Sequence, residues 1–226
     1  MTKLPPTRFF PPVETADGDG LLCVGGSLSP PWLLDAYRHG IFPWPMDDDL
    51  LAWWSPDPRA VLEFDDLHVS RRLARTLRSE RFEVTCDRDL AAVIQRCATV
   101  QDRRGATWLT RPMRRAYRRM HELGFVHSVE AWQDGELAGA VYGVALGASF
   151  SAESMFYRVR DASKVALVHL VRHLKARGFH LLDIQQITPH LRSMGATTIL
   201  RRVYLDRLSA ALEENVSFGE SLEGDR

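Results

Sequence analysis

Apolar residues recur every three to four positions in several stretches of the chain, the pattern of a helix with one buried face. In one stretch Met113, Tyr117 and Met120 fall on a single face behind Thr110, a residue type that favours a helix start. Gly124 then favours the helix end. The predicted helices span residues 29–40, 70–81, 110–124, 163–177 and 188–195.

Runs of β-branched and aromatic residues between these helices favour strands at 125–132, 137–146, 149–156 and 180–186. The Asp134-Gly135 pair is a turn that joins the first two strands as a hairpin. An antiparallel meander followed by strand, helix and strand is the order of the acyl-CoA N-acyltransferase fold, whose last two strands separate to hold an acyl donor. The pattern therefore predicts a mixed α+β fold with an acyltransferase-like domain.

The first sixty residues differ from the rest in composition, since they hold four of the six tryptophans and most of the twelve prolines. Such a segment is expected to be rich in loops and held by aromatic packing. We therefore predict a small N-terminal domain at 1–60 and a catalytic domain at 61–216. The Gly-, Ser- and Glu-rich tail at 217–226 is predicted to be disordered.

Positive charge is segregated along the chain, although the 29 basic and 29 acidic residues balance. Arg71, Arg75 and Arg78 fall on one side of a predicted helix and Leu73 and Leu77 on the other. The 110–124 helix adds Arg111, Arg114, Arg115, Arg118 and Arg119. Two arginine-lined faces favour a phosphate-rich ligand, whereas ordinary solvated helix faces are the alternative interpretation.

Other sequence features exclude several classes of protein. The three cysteines lie far apart without a CxxC spacing, so neither a disulfide framework nor a zinc site is expected, and no other metal site is evident. The N-terminus has no signal-peptide pattern, and no apolar run reaches the length of a membrane span. We therefore expect a cytoplasmic protein with no membrane partner.

Two polar patterns are candidates for chemistry. Asp183 and Gln185 lie two apart in the predicted strand 180–186 and so share one face. Glu153 and Met155 share a face of the strand 149–156 in the same way, which suggests a pocket with an apolar wall and one acid. The alternatives are a structural network for the first pair and a solvated edge strand for the second.

Several motifs together resemble one family. The segments GIFPW, WWSPDPRAVL, ESMF, LLDIQ and SMGA are similar in type and order to those of the bacterial leucyl/phenylalanyl-tRNA–protein transferases, and the resemblance covers residues 9–203. It implies transfer of leucine, phenylalanine or, less readily, methionine from aminoacyl-tRNA. The implied acceptor is the α-amine of a protein that begins with arginine or lysine, which is thereby marked for degradation through the bacterial N-degron pathway.

The resemblance also implies roles for particular residues. Asp183, Gln185 and Glu153 match catalytic positions of that family, whereas Phe150, Met155 and Ile184 match its aminoacyl pocket. Trp44 and Trp108 match tryptophans near the 3′-terminal adenosine, and Arg71, Arg75 and Arg78 match a basic cluster that supports the tRNA. No cofactor is implied, because an aminoacyl ester is already activated. The chain departs from the family pattern at Ser27, Ala152, Asp161, Ile184 and Leu200.

Two other functions are compatible with parts of the sequence. An acetyl-CoA-dependent N-acetyltransferase would share the fold, but the segment YRVRDASKVA lacks the glycines of a pyrophosphate-binding loop. A non-catalytic RNA-binding protein would explain the arginine faces, but it would not require Asp183 or Gln185. If the chain is a transferase, Asp183 either withdraws a proton through Gln185 or a water, or attracts the cationic acceptor.

Overall fold

Residues 4–46, 50–100 and 108–223 are described by a computed structural model, in which two β-sheets organise the chain. The smaller sheet has three antiparallel strands in the order β1-β3-β2. Its elements are β1 (Leu21–Val24), α1 (Pro30–Arg38), β2 (Phe42–Pro43) and β3 (Ala52–Trp54). Phe10, Trp32 and Trp53 pack ring against ring above it, with centroids 4.8–6.2 Å apart. The aromatic packing expected of the N-terminal segment is present.

The larger sheet has seven strands in the order β10-β4-β9-β8-β7-β6-β5, and only the β8–β9 pair is parallel. The remaining elements are β4 (Arg59–Val61), α2 (Arg71–Arg78), β5 (Glu83–Cys86), α3 (Leu90–Val100), α4 (Arg111–Glu122), β6 (Val126–Gln133), β7 (Glu136–Leu146), β8 (Ser149–Tyr157), α5 (Ala162–Arg177), β9 (Leu181–Gln185), α6 (Pro189–Ser193), β10 (Thr197–Ile199) and α7 (Arg201–Leu212). The mixed α+β class and the acyltransferase-like order of strands and helix are confirmed. The boundary predicted at residue 60 falls inside β4.

Helices cover both faces of this sheet and create two apolar layers. On one face α5 and α2 pack together, with Leu73, Val165 and Leu170 in the core. On the other face lie α1, α3, α4 and α7, with Leu33, Ile94 and Tyr204 in the core. Gly139 lets the start of α5 approach β7, since a Cβ there would lie 2.7 Å from the Cβ of Ala162.

Helices α2, α4 and α6 begin at a side-chain cap, among them the helix predicted to start at Thr110. The side-chain oxygens of Ser70, Thr110 and Thr188 accept hydrogen bonds from backbone N–H groups one turn into α2, α4 and α6. The Ser29 side chain makes no such bond to α1, and Gly40 follows that helix with φ +70°. None of the helices in the described residues is long and apolar enough to cross a membrane.

The prediction of a disordered tail is wrong for residues 217–223. Phe218 is only 2% exposed and stacks on the His127 ring at a centroid distance of 4.3 Å. The Phe218 carbonyl accepts a hydrogen bond from His173 Nε2, and the Glu223 N–H donates to His173 Nδ1. One buried aromatic residue and a buried histidine therefore fix a segment whose composition is otherwise that of a flexible tail. Residues 224–226 lie outside the described part of the chain.

Candidate active site

A cleft opens where β8 and β9 separate. The two strands pair only from Ser149 opposite Leu181 to Ser151 opposite Asp183, and beyond that point they diverge. The gap has a volume of about 590 Å³. Its walls are mainly apolar, and the residues that form them include Phe42, Val141, Met155, Leu167, Ile184 and Leu191. Glu153 and Gln185 line the same cleft and bring polar groups to it.

Glu153 is directed by an irregularity in β8. Gly143 of β7 pairs with Ala152 and Tyr142 pairs with Ser154, so Glu153 is the extra residue of a β-bulge. Its Oε2 accepts a 2.6 Å hydrogen bond from the Tyr117 hydroxyl, which lies 2.9 Å from the Tyr37 hydroxyl. Its Oε1 accepts a 2.8 Å bond from Gln185 Nε2. Glu153 therefore joins the cleft to a buried chain of hydroxyl groups.

This environment changes the acidity of Glu153. Burial disfavours its charged form and the nearby Asp183 charge adds to that effect, while hydrogen bonds from Tyr117 and Gln185 oppose it. The net result raises the pKa of Glu153 to about 7. Burial and the Glu153 charge also raise the pKa of Tyr37 and Tyr117 well above the ordinary value, so both remain hydrogen-bond donors. A carboxyl group with a pKa near neutrality can accept and release a proton under physiological conditions.

Asp183 has a different environment, because it is fully buried and does not line the cleft. Arg59 donates to both of its oxygens, from Nε at 2.8 Å and from Nη2 at 2.7 Å. The Ser151 and Tyr204 hydroxyls donate to Oδ2 at 3.1 and 3.0 Å, and the Gln185 N–H donates to Oδ1 at 2.9 Å. Five donated hydrogen bonds leave this carboxylate little capacity to bind a substrate.

Arg59 is as deeply buried as its partner. Its guanidinium lies between the rings of Phe42 and Tyr204, at 4.9 and 4.6 Å from their centroids, and donates to the Gly40 carbonyl at 3.0 Å. Burial disfavours the charge of Arg59, but the Asp183 carboxylate more than offsets this effect and raises the pKa of the guanidinium. This ion pair joins β4 to β9 directly beneath the cleft.

Gln185 connects the two carboxylates. It has a positive φ of 60°, a conformation that residues other than glycine rarely adopt. Its N–H is held by Asp183 while its side-chain amide reaches Glu153. The buried ion pair thus fixes a strained backbone that directs the Gln185 amide into the cleft.

The other predicted pocket residues divide into two groups. Met155 and Ile184 line the cleft. Phe150 does not: it is 0% exposed and packs towards Phe218, because it lies where β8 is still paired with β9, opposite Leu182. The predicted shared face of Glu153 and Met155 is also wrong. Because of the bulge, the Glu153 side chain points to the sheet face that carries α4 and contacts Tyr117. The Met155 side chain packs against the apolar core on the opposite face, which carries α5.

Trp44 and Trp108 come together at the cleft, as parallel rings with centroids 4.5 Å apart. Trp44 is 40% exposed, so the stacked pair forms part of the open rim.

Arg71, Arg75 and Arg78 are exposed on α2 and do not line the cleft. Helix α2 is tied to the loop before α5 by the ion pair between Arg72 and Asp161, at 2.7 Å.

Sequence reasoning missed Arg59 and the hydroxyl groups of Tyr37, Tyr117 and Tyr204. An arginine and three tyrosines far apart in the chain show no common periodicity. The sequence did offer one indication of these residues: a carboxylate such as Asp183 in a buried strand requires a nearby cation or several hydrogen-bond donors. Arg59 is the basic residue of the WWSPDPRAVL segment, and it could have been proposed as the cation that pairs with Asp183.

A parallel strand pair that separates around an apolar cleft, with a helix crossing between the two strands, is the arrangement of the acyltransferase-like fold. The family model of leucyl/phenylalanyl-tRNA protein transferases matches residues 61–209, and that of their N-terminal domain matches residues 26–57. The chain therefore belongs to the leucyl/phenylalanyl-tRNA–protein transferase family and is an aminoacyltransferase.

Relatives named leucyl/phenylalanyl-tRNA–protein transferase match most of the chain. The protein of Azoarcus sp. is 55% identical over 197 residues, which cover 86% of this chain and 84% of that protein. The protein of Syntrophobacter fumaroxidans is 53% identical over 224 residues, which cover 99% and 95% of the two chains. Among solved structures, a GCN5-related N-acetyltransferase from Kribbella flavida superimposes with a TM-score of 0.40 at 11% identity, covering 75% of this chain and 60% of that one.

Proposed function

We propose that this aminoacyltransferase moves leucine, phenylalanine or, less readily, methionine from charged tRNA to the α-amine of proteins that begin with arginine or lysine. The observation that supports this most directly is the hydrogen-bonded Glu153–Gln185 pair on the wall of an apolar cleft of about 590 Å³. Such a cleft suits a medium-sized apolar side chain and excludes charged ones. The setting would be the cytoplasm, where charged tRNA is found.

In the proposed reaction the aminoacyl side chain lies among Met155, Ile184 and Leu167, and the terminal adenine contacts the Trp44–Trp108 rim. The amine nitrogen of the acceptor attacks the ester carbonyl carbon, and the oxyanion of the tetrahedral intermediate needs a hydrogen-bond donor. The Gln185 amide, held by its strained backbone, is the donor proposed for that role. Collapse breaks the bond to the ribose oxygen, which leaves as a hydroxyl.

Proton transfer is assigned to Glu153 rather than to Asp183. The attacking amine must lose a proton and the ribose oxygen must gain one, so a single group that accepts and then returns the proton serves both steps. Glu153 reaches the cleft and has a pKa of about 7. Asp183 already accepts two hydrogen bonds from Arg59 and three from other donors, and we assign it the positioning of Gln185.

The decisive experiment supplies leucyl-tRNA and a peptide that begins with arginine. A gain in mass of one leucine residue at the peptide N-terminus is expected. The same peptide beginning with glutamate is the matched control and should remain unmodified. If neither peptide is extended, or both are extended equally, the proposed acceptor specificity is wrong.

A further inference from the structure

The outer face of α4 is a second concentration of positive charge that the proposed reaction does not use. Met113, Tyr117 and Met120 of this helix are buried, and the opposite side carries exposed arginines. At 100° per residue, Arg111, Arg115 and Arg118 fall within one narrow stripe. The stripe extends about 10 Å along the helix at 1.5 Å per residue.

These three arginines differ from their neighbours on the same helix. Arg114 donates to the Gln95 side chain at 2.7 Å, and Arg119 pairs with Glu122 at 2.7 Å. Arg111, Arg115 and Arg118 have no ion-pair partner among residues 4–46, 50–100 and 108–223. Their charge is therefore not neutralised within the described part of the chain and is available to a polyanion.

The stripe begins close to the Trp44–Trp108 rim of the cleft, where the terminal adenosine of the donor is proposed to bind. Arg111 is three residues from Trp108, so their Cα atoms lie within about 11 Å of each other. Helix α4 packs against β6 and α3, on the sheet face opposite to α2 and α5. Trp108, which lines the cleft, lies just before the first residue of α4, so the N-terminal end of the arginine stripe lies close to the cleft.

We propose that Arg111, Arg115 and Arg118 bind the phosphates of the donor tRNA that lie next to its terminal adenosine. The inference rests on the proposed function, since it assumes a terminal adenosine at Trp108. Guanidinium groups bind phosphate oxygens through paired N–H donors. Contacts of this kind fix the register of an RNA end without reading its sequence.

The test uses three leucine donors of increasing length: leucyl-adenosine, a leucyl acceptor-stem minihelix and full leucyl-tRNA. The α4 variant is R111Q/R115Q/R118Q. The matched control is R8Q/R38Q/R202Q, which removes the same charge from exposed arginines that belong to neither α2 nor α4. Each variant is assayed with a peptide that begins with arginine, over a series of salt concentrations, and its unfolding temperature is measured.

For the α4 variant we expect KM to rise about tenfold or more for the minihelix and for full tRNA, with kcat unchanged. The slope of log(kcat/KM) against log[salt] should become shallower by about 3, one for each lost phosphate contact. Use of leucyl-adenosine and the unfolding temperature should match the wild type.

Three outcomes would overturn the inference: unchanged KM for the minihelix, an equal loss in the control triple variant, or a rise confined to the KM of the acceptor peptide. Failure of the proposed function looks different, because wild-type protein would then not transfer leucine even from leucyl-adenosine.

Discussion

The two buried carboxylates at the cleft, Asp183 beneath it and Glu153 on its wall, lie in one network but differ in what surrounds them. Asp183 faces a guanidinium and accepts five hydrogen bonds, so its charge is fully compensated. Glu153 accepts hydrogen bonds from the neutral groups of Tyr117 and Gln185, has no ion-pair partner in the described part of the chain, and borders the cleft. Burial without a cation raises the pKa of Glu153 to about 7. A cation thus holds Asp183 in its charged form as a structural anchor, whereas a buried carboxyl group without a cation keeps a proton affinity near neutrality, which suits acid–base chemistry.

The first way to test this comparison is to remove one member of the ion pair. Arg59→Met or Asp183→Asn leaves a buried charge uncompensated, which should cost about 3–5 kcal/mol of folding free energy. Denaturant unfolding at pH 7 measures it. Arg88→Met is the matched control, because its pair with Glu83 is exposed and should contribute less than about 1 kcal/mol. The double variant R59M/D183N should lose much less than the sum, and strict additivity would contradict a coupled pair.

The second test removes the titratable group of the cleft. Glu153→Gln should lower kcat by about 10²–10⁴-fold, the usual contribution of a general base. The fold should survive, because the glutamine amide can donate to Tyr117 if the Tyr117 and Tyr37 hydroxyls reverse direction. Glu136→Gln, at an exposed carboxylate, is the control. Wild-type activity should fall as pH drops below about 7, and a profile flat down to pH 5 would exclude Glu153 as the base.

The third test follows the stability of the same variant with pH. The pKa of Glu153 rises from 4.5 to about 7 on folding. Its contribution to the free energy of unfolding is therefore largest below about pH 4.5, where the group is protonated in both states. That stability is lost as pH rises towards 7. Glu153→Gln does not titrate, and its stability relative to wild type should therefore increase by up to about 3 kcal/mol between pH 4.5 and 8. A pH-independent difference would show that Glu153 has an ordinary pKa.

The sequence predicted more of the fold than of the site, for a physical reason. Periodicity reports which side chains face the core, and it located α4, α5 and strands β6 to β9 within a few residues. It cannot report contacts between distant segments, such as those of Arg59 with Asp183 or Tyr37 with Tyr117.

Short irregularities in the strands could not be predicted either, because they depend on pairing with a distant segment. The β-bulge at Glu153 reversed the expected side of Met155, because one extra residue shifts the alternation of a strand. Phe150 was placed in the pocket because the sequence does not show where β8 and β9 stop pairing. Both errors concern the place at which regular pairing ends, which is where the cleft forms.

The fourth test concerns the rim of the cleft. Trp44→Ala and Trp108→Ala should each raise KM for charged tRNA by an amount equivalent to about 1–3 kcal/mol, the usual value of stacking on a base. Trp44→Phe should recover part of the loss, because it retains an aromatic face. Unchanged KM in both alanine variants would mean that the stacked pair only closes the rim.

The smallest expected effect tests whether the apolar wall sets the donor preference. Ala152 lines the cleft at a position where the family pattern has glycine, so its methyl group would take space from a bound aminoacyl side chain. Ala152→Gly should raise kcat/KM for phenylalanyl-tRNA relative to leucyl-tRNA by a factor of about 4, since one methyl group is worth about 0.8 kcal/mol. Ala140→Gly removes a methyl group from the same sheet inside the core and should lower stability without changing that ratio. If Ala152→Gly also leaves the ratio unchanged, the aminoacyl side chain does not reach this wall, and the preference is set deeper, around Met155 and Ile184.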